Sequence, residues 1–208
     1  MTARKLGRRP GKQNTRERIL DEAEYIIAVK GPDGFTLQEV AERVGIRPPS
    51  VFSHFKGIPA VVEEVYKRVL EGMSAAIDIG DAEFSEETFR RLIRSYVIYL
   101  AGNPAHSRLI LQQLASGSRD RAALQSFESG VTLFERFVGP LDTMITNAVE
   151  VGVIRPVSRD TLFSFISGAI LCRLAWHEYQ DWEKEGWDEL VEEICQEAEL
   201  LALRFVAP

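Results

Sequence analysis

A chain of 208 residues has room for one small and one medium domain, and 45% hydrophobic with 27% charged residues is the composition of an ordinary globular protein. No stretch approaches the ~20 apolar residues a membrane span needs, and the basic N-terminus lacks the apolar core of a secretory signal, so a membrane or exported protein is not expected. The net charge of −6 is unevenly spread: residues 1–56 hold 11 Lys and Arg against 7 Asp and Glu, a balance of +4, and the remainder holds 14 against 24, a balance of −10. Such asymmetry points to a nucleic-acid face on the first part and to an acidic body that phosphate repels.

Residues 1–13 are basic, rich in Gly and Pro and without apolar period; they read as a flexible arm. Asn14 or Thr15 caps a first helix to about Lys30, with Ile19, Ala23, Ile26 and Ile27 inward, and Gly31-Pro32-Asp33-Gly34 is a turn cluster. Residues 36–56 are the most informative stretch. Thr36 and Glu39 have the spacing of a capping box, and Leu37, Val40, Ala41 and Val44 make one apolar helical face. Gly45 follows where the chain must turn left-handed, and Ile46 plugs the angle between two helices. Pro48 stands where a second helix begins. Val51 and Phe55 point back to the core, which leaves Ser50, Ser53 and His54 outward. The pattern is that of a helix-turn-helix.

Pro59 opens a fourth helix to about Met73, with Val62, Val65, Tyr66 and Val69 inward. A loop covers Ser74 to Phe84, and Ser85 caps a helix to about Ala101. A shorter helix covers about 105–115. A long one from near Asp120 is broken or kinked at Gly139-Pro140 and stops at Gly152. Ser158 caps a helix to about Tyr179, and the last runs from about Trp187 to Val206. No strand alternation or repeat appears, so the fold class is all-α. Its expected parts are an arm (1–13), a helix-turn-helix domain (14–58) and a helical ligand-binding and dimerisation body (59–208).

Thr36, Val40-Ala41, Gly45-Ile46, Ser50-Val51-Phe52 and His54-Phe55-Lys56, with Thr15 to Leu20 upstream, resemble the DNA-binding signature of the tetracycline-repressor (TetR) family over roughly residues 14–70. The resemblance implies that Pro49, Ser50 and Ser53 lie near base edges and that Thr36, His54 and Lys56 meet phosphates. Three features depart from the family pattern: Phe52 replaces a usual tyrosine, Ile58 a common second lysine, and the Pro48-Pro49 pair removes two amides at a helix start. All three reduce phosphate contacts. Arg47 and the arm, including Arg8 and Arg9, are the expected compensation, since arginines on flexible arms enter narrow minor grooves.

In the body, Tyr99, His106, Gln113, Phe134, Phe165 and Trp176 are the candidate ligand contacts, against the plainer reading that each aromatic is simply core. Phe163, Ile166, Ile170, Leu174, Ile194 and Leu201 are the candidate dimer interface, because the helix of 159–179 is apolar over more than one face. Pairing the last two helices with their symmetry mates makes a four-helix bundle, the arrangement the resemblance also implies. Cys172 and Cys195 lack ligand spacing and read as buried, reduced structural thiols of a cytoplasmic protein. Histidines lack metal-ligand spacing, and no phosphate-binding glycine loop, His-Glu-x-x-His or nucleophile elbow is present. No cofactor, metal or catalysis is expected.

The expected function is therefore a repressor that binds palindromic double-stranded DNA as a homodimer and is released by a small, largely apolar effector. The alternatives are an activator or a regulator controlled by a protein partner. From another class come a helical interaction module or an enzyme with a basic tail.

Overall fold

The computed structural model describes residues 14–31, 34–77, 83–115, 128–176 and 185–208, with the side chains of 113–115 and 128–138 excepted. Among the described residues the chain is helical throughout, without strands. The head consists of α1 (Thr15–Lys30), α2 (Leu37–Val44) and the one-turn α3 (Pro48–Val51). The long α4 (Ile58–Ala76) leads to the body: α5 (Glu86–Ala101), α6 (Pro104–Ala115), α7 (Glu128–Glu150), α8 (Arg159–Ala175) and α9 (Trp187–Val206).

The helix starts follow from side-chain caps. Asn14, Thr36, Ser85 and Ser158 each accept a backbone amide of the first turn, at 3.1–3.2 Å, which satisfies donors that have no intrahelical partner. The expected capping box at α2 is only half formed. Thr36 caps Glu39, but both carboxylate oxygens of Glu39 are taken by Lys30 Nζ, at 2.8 and 2.9 Å. A salt bridge from α1 has outcompeted the reciprocal bond.

Helix α1 lies across the head with Ile19, Ala23, Ile26 and Ile27 buried, as its period predicts, and packs on α2, α4 and α6. In α4 the buried stripe is Val61, Val65, Val69 and Met73; Val62 and Tyr66, expected inward, are half-buried on its flank. The four-residue spacing centres the stripe on α1 and the body at once, so α4 belongs to both cores. In the body, α9 lies between α5 and α8. It runs antiparallel to α5, since Arg90 reaches Glu199 while Arg94 reaches Glu192 as well as Glu199.

One boundary differs from expectation. Helix α7 runs unbroken from Glu128 to Glu150 with Pro140 inside it, and is not interrupted at Gly139-Pro140. Proline removes one helical N–H, and the Thr143 hydroxyl donates to the Gly139 carbonyl at 3.1 Å just beyond it. Helix α8 is described to Ala175; its expected extension to Tyr179, like the expected start of α7 near Asp120, lies outside the described residues. No helix among the described residues is long and apolar enough to cross a membrane.

Candidate nucleic-acid interface and body cavity

The turn between α2 and α3 is built by backbone chemistry. Gly45 sits at φ +75°, where a side chain would be strained. The Ile46 amide donates to Ala41 O at 2.9 Å and Gly45 to Glu42 O at 3.1 Å, which closes the helix end. Arg18 of α1 donates to the Val44 carbonyl and so holds α2 from beneath. Helix α3 itself is short. Beyond Val51 the chain continues as turns, with His54 and Phe55 amides both donating to Val51 O at 3.0 and 2.9 Å. Val51 and Phe55 are buried, and the Arg16 guanidinium lies 4.9 Å from the centre of the Phe55 ring while pairing with Glu64 at 2.9 Å.

These anchors leave Arg47, Pro49, Ser50, Ser53, His54 and Lys56 exposed on one ridge, with Thr36 exposed at the start of α2. The Ser53 hydroxyl donates to Ser50 O at 2.7 Å, which stiffens the turn and leaves the Ser53 oxygen able to accept. Phe52 is 59% and Ile58 41% exposed, apolar groups where phosphate donors stand in the pattern the chain resembles.

Charge separates this ridge from the rest of the head. Arg16, Lys30 and Arg43 are matched by Glu64, Glu39 and Glu22, and Arg18 is engaged by a carbonyl. Among the described residues, Arg47 and Lys56 have no ion-pair partner, so the uncompensated positive charge lies beside the exposed serines. Arg8 and Arg9 fall outside the described residues.

The sequence reading missed the joint behind this head. Arg68 of α4 donates to Glu24 at 2.7 Å, Asp21 at 3.0 Å and Glu17 at 2.5 Å, three carboxylates on one face of α1. Their 17/21/24 spacing was the available signal. Burial pushes the Glu24 carboxyl up, against the pull of Arg68, whereas the Arg68 guanidinium stays firmly charged, its burial outweighed by three carboxylates. The opposite balances reflect unequal company: Arg68 faces three anions, while Glu24 has one cation and two neighbouring carboxylates.

On the far side of α4, Tyr99 Oη lies 2.8 Å from Val69 O and 2.6 Å from His106 Nδ1. The carbonyl can only accept, so Tyr99 donates to it and His106 Nδ1–H donates to Tyr99. Burial, helped by the Arg68 charge, pushes the His106 pKa down to about 4, which keeps the ring neutral. A Cβ at Gly72 would lie 2.7 Å from Tyr99 Oη, so this close approach of α5 to α4 requires glycine. Arg108 of α6 adds a bond to Val29 O of α1 at 3.2 Å.

The body contains an apolar cavity of about 60 Å³ lined by residues of α4 (Ile77), α5, α7 and α8. Of the six expected ligand contacts, the four whose side chains are described do not gather there. Tyr99 and His106 bind each other at the α4 joint, because their hydroxyl and ring nitrogen satisfy one another. Phe165 is 39% exposed and stacks on Phe205 at 4.1 Å, and Trp176 is 86% exposed. The side chains of Gln113 and Phe134 lie outside the described residues. Among the described residues, the aromatic ones that line the cavity are Phe89, Tyr96 and Phe163, the last two with ring centres 6.0 Å apart.

The expected dimer face needs a similar correction. Ile166, Ile170, Leu174 and Ile194 are at most 8% exposed and pack within their own chain, and Phe163 is half-buried against Tyr96. Only Leu201, at 40%, is open. Helix α8 is apolar on two sides: 162/166/170/174 face inward, while Phe165, Ala169, Cys172 and Trp176 are exposed.

Comparison with known proteins agrees with this architecture. Residues 19–65 match the family model described as bacterial regulatory proteins, tetR family. YobS of Bacillus subtilis (strain 168), an uncharacterized HTH-type transcriptional regulator, is 26% identical over 93 residues, 44% of this chain and 49% of that one. The match thus spans about half the length of that curated relative. Similar solved structures include the TetR family regulator PfmR from Thermus thermophilus, 24% identical with TM-score 0.62 over 92% of this chain and 97% of that one. The ketosteroid transcriptional regulator KstR2 of Mycobacterium tuberculosis is 18% identical with TM-score 0.68, over 95% and 98%. A tetR family regulatory protein from Rhodococcus RHA1 is 20% identical with TM-score 0.70, over 94% and 98%. At these identities the structures show a shared fold, and the family is carried by the head: residues 19–65 are a DNA-binding domain of the TetR family of transcriptional regulators.

Proposed function

We propose that the protein is a repressor that binds a palindromic DNA operator as a homodimer and lets it go when a small, largely apolar molecule enters the body. The observation that carries this reading is the ridge of α3. It presents hydroxyls of Ser50 and Ser53, the Pro49 ring and two cations, Arg47 and Lys56, that nothing in the described head neutralises. Hydroxyls and an apolar ring suit base edges, whereas Lys56, His54 and Thr36 suit phosphates. Residues 14–58 act as the head and 59–208 as the sensing and pairing body, with the arm of 1–13 reaching the adjacent groove through Arg8 and Arg9.

The cavity supports the release step. Its 60 Å³ is well below the roughly 150 Å³ that accepts a benzene-sized guest. A ligand must therefore part its walls, and one wall is Ile77 at the body end of α4. Displacing α4 moves Arg68, and with it α1 and the head. Release requires the ligand to favour the displaced state, and operator DNA must then weaken the ligand by the same factor.

The dimer face proposed now is the outward side of α8, with Phe165, Ala169, Cys172 and Trp176, together with Leu201 of α9. Small Gly168 and Ala169 permit close approach of a symmetry mate.

Fluorescence anisotropy on operator variants tests the head. Lys56→Ala should weaken all sequences alike and flatten the slope of log affinity against log salt by about one unit. Ser50→Ala should change sequence preference. Equal loss on every variant for both substitutions would remove the base-reading role of the ridge.

A further inference from the structure

The ridge of α3 is divided lengthwise into an apolar and a polar flank. The His54 and Phe55 amides both donate to Val51 O, and Phe52 sits at φ −67°, ψ −18°, so the chain keeps a near-helical path beyond α3. Successive residues on such a path turn by about 100°. With Val51 and Phe55 buried at its back, Pro49 and Phe52 are neighbours on one flank, Ser50 and His54 on the other, and Ser53 lies between. Phe52, at 59%, is the most open large apolar side chain among the described residues of the head. We propose that Phe52, together with Pro49, reads one thymine in each operator half-site through its 5-methyl group. This rests on the DNA-binding reading above and makes Phe52 a specificity-determining residue.

DNA offers an apolar ring few partners. Phe52 can neither donate to a phosphate nor accept from a base amine, so bringing DNA onto this flank is favourable only where the ring meets carbon. Among the base edges of the major groove, the thymine methyl is the apolar group presented. Deoxyribose is the other carbon surface, and it carries no sequence.

Two features select the methyl. A single exposed ring is ordinary on a protein surface, but this one adjoins a second, Pro49, on the ridge that also carries the uncompensated Arg47 and Lys56. The two rings make an apolar flank at the N-terminal part of the second helix, the part of a helix-turn-helix that meets base edges. Cytosine at the same place presents an N4 donor, which neither ring can accept. Ser50 and His54 face the other way around the ridge and do not compete for this contact.

The operator is first recovered by selection from random duplex DNA with the full-length protein. Each thymine is then replaced singly by uracil, which keeps the base pair and removes only the methyl. Anisotropy titrations at fixed salt should find one thymine per half-site where uracil weakens binding by about fourfold, the value of one buried methyl-sized group. In Phe52→Ala, checked for a native melt, that uracil effect should largely vanish and the salt slope should stay as in the wild type. Phe52→Leu should keep part of the effect, and it carries the test if the alanine variant unfolds. Lys56→Ala, which weakens binding overall, should leave the uracil effect whole. A wild type indifferent to uracil at every thymine, or equal sensitivity in the Phe52 variants, would overturn the assignment and leave specific binding by the ridge standing. A Phe52→Ala loss that is the same on every sequence would give the ring to a sugar and likewise end its base-reading role. A selection that enriches no sequence would remove the assignment together with the DNA-binding reading.

Discussion

Arg68→Met is the most direct test of the joint between α1 and α4. Methionine keeps an apolar stem of similar reach and removes only the guanidinium. Of the three pairs lost, those to Glu17 and Asp21 involve carboxylates 48% and 49% exposed, and each should contribute no more than about 0.5 kcal/mol. The Glu24 pair is different: both side chains are 22% exposed, and removing the cation leaves a largely buried carboxylate beside two others. That falls short of the roughly 3–5 kcal/mol seen when a fully buried pair is broken. A total near 2 kcal/mol at pH 7.5 is expected, read by urea unfolding at fixed protomer concentration. The pH dependence gives the sharper check. Glu24 already has a raised folded-state pKa, so its contribution is present below the unfolded value and lost as pH rises through the folded one. Without Arg68 the Glu24 carboxyl moves further up, and acidification relieves the repulsion among the three neighbouring carboxylates. His106 acts in the same sense. Its folded value of about 4 lies below the unfolded one, so its contribution is full above about 6.5 and is lost as pH falls toward 4; part of that depression comes from Arg68. The gap between wild type and variant should therefore narrow between pH 7.5 and 5. A loss below about 0.5 kcal/mol, or an equal loss at both pH values, would show that the charges do not hold the joint.

Gly72→Ala should destabilise by about 1–3 kcal/mol, since the new methyl meets Tyr99 Oη at 2.7 Å and Cε2 at 2.9 Å; thermal melts of Gly72→Ala in the wild-type and in the Tyr99→Ala background check whether the clash is the cause. Ala169→Glu should give folded monomers by sedimentation with weakened operator binding, whereas Ile170→Glu, at a position 1% exposed, should fail to fold; a dimeric Ala169→Glu protein would move the interface off this face. Deleting residues 1–12 should leave the melting temperature unchanged and lower operator affinity by about tenfold, because several cationic contacts go at once. A truncated protein that titrates like the full chain would make the arm a tail without function.

The head was readable because its rules are local. Thr36, Gly45 and Pro48 act within a few residues of themselves, and the 37/40/41/44 face has only one place to go. The body was not readable in the same way. Helix α8 has apolar residues on two sides, and sequence cannot say which side meets its own chain; Ile170 and Leu174 went inward, while Phe165 and Trp176 went out. Tyr99 and His106 looked like ligand groups because they are polar residues in an apolar period. Their actual partners are each other and a carbonyl 30 residues earlier in the chain, a match that only packing creates. Glu39 shows the same limit within the head, since Lys30 reached its carboxylate first.

Pro48 and Pro49 stand at the first two positions of α3, and Arg47 before them is held extended at φ −74°, ψ 141°. A ring-closed φ at two residues, and the restriction proline places on its predecessor, shape three consecutive residues covalently, before any tertiary contact forms. Ordering a flexible residue costs about 1–2 kcal/mol. For a protein that reads DNA with this turn, little of that cost arises at the moment of binding. Its heat-capacity change should follow the surface it covers, without the larger signature of a segment that folds on its target. Such a reader discriminates by misfit: a base pair that does not suit the ridge meets a backbone with few ways to yield.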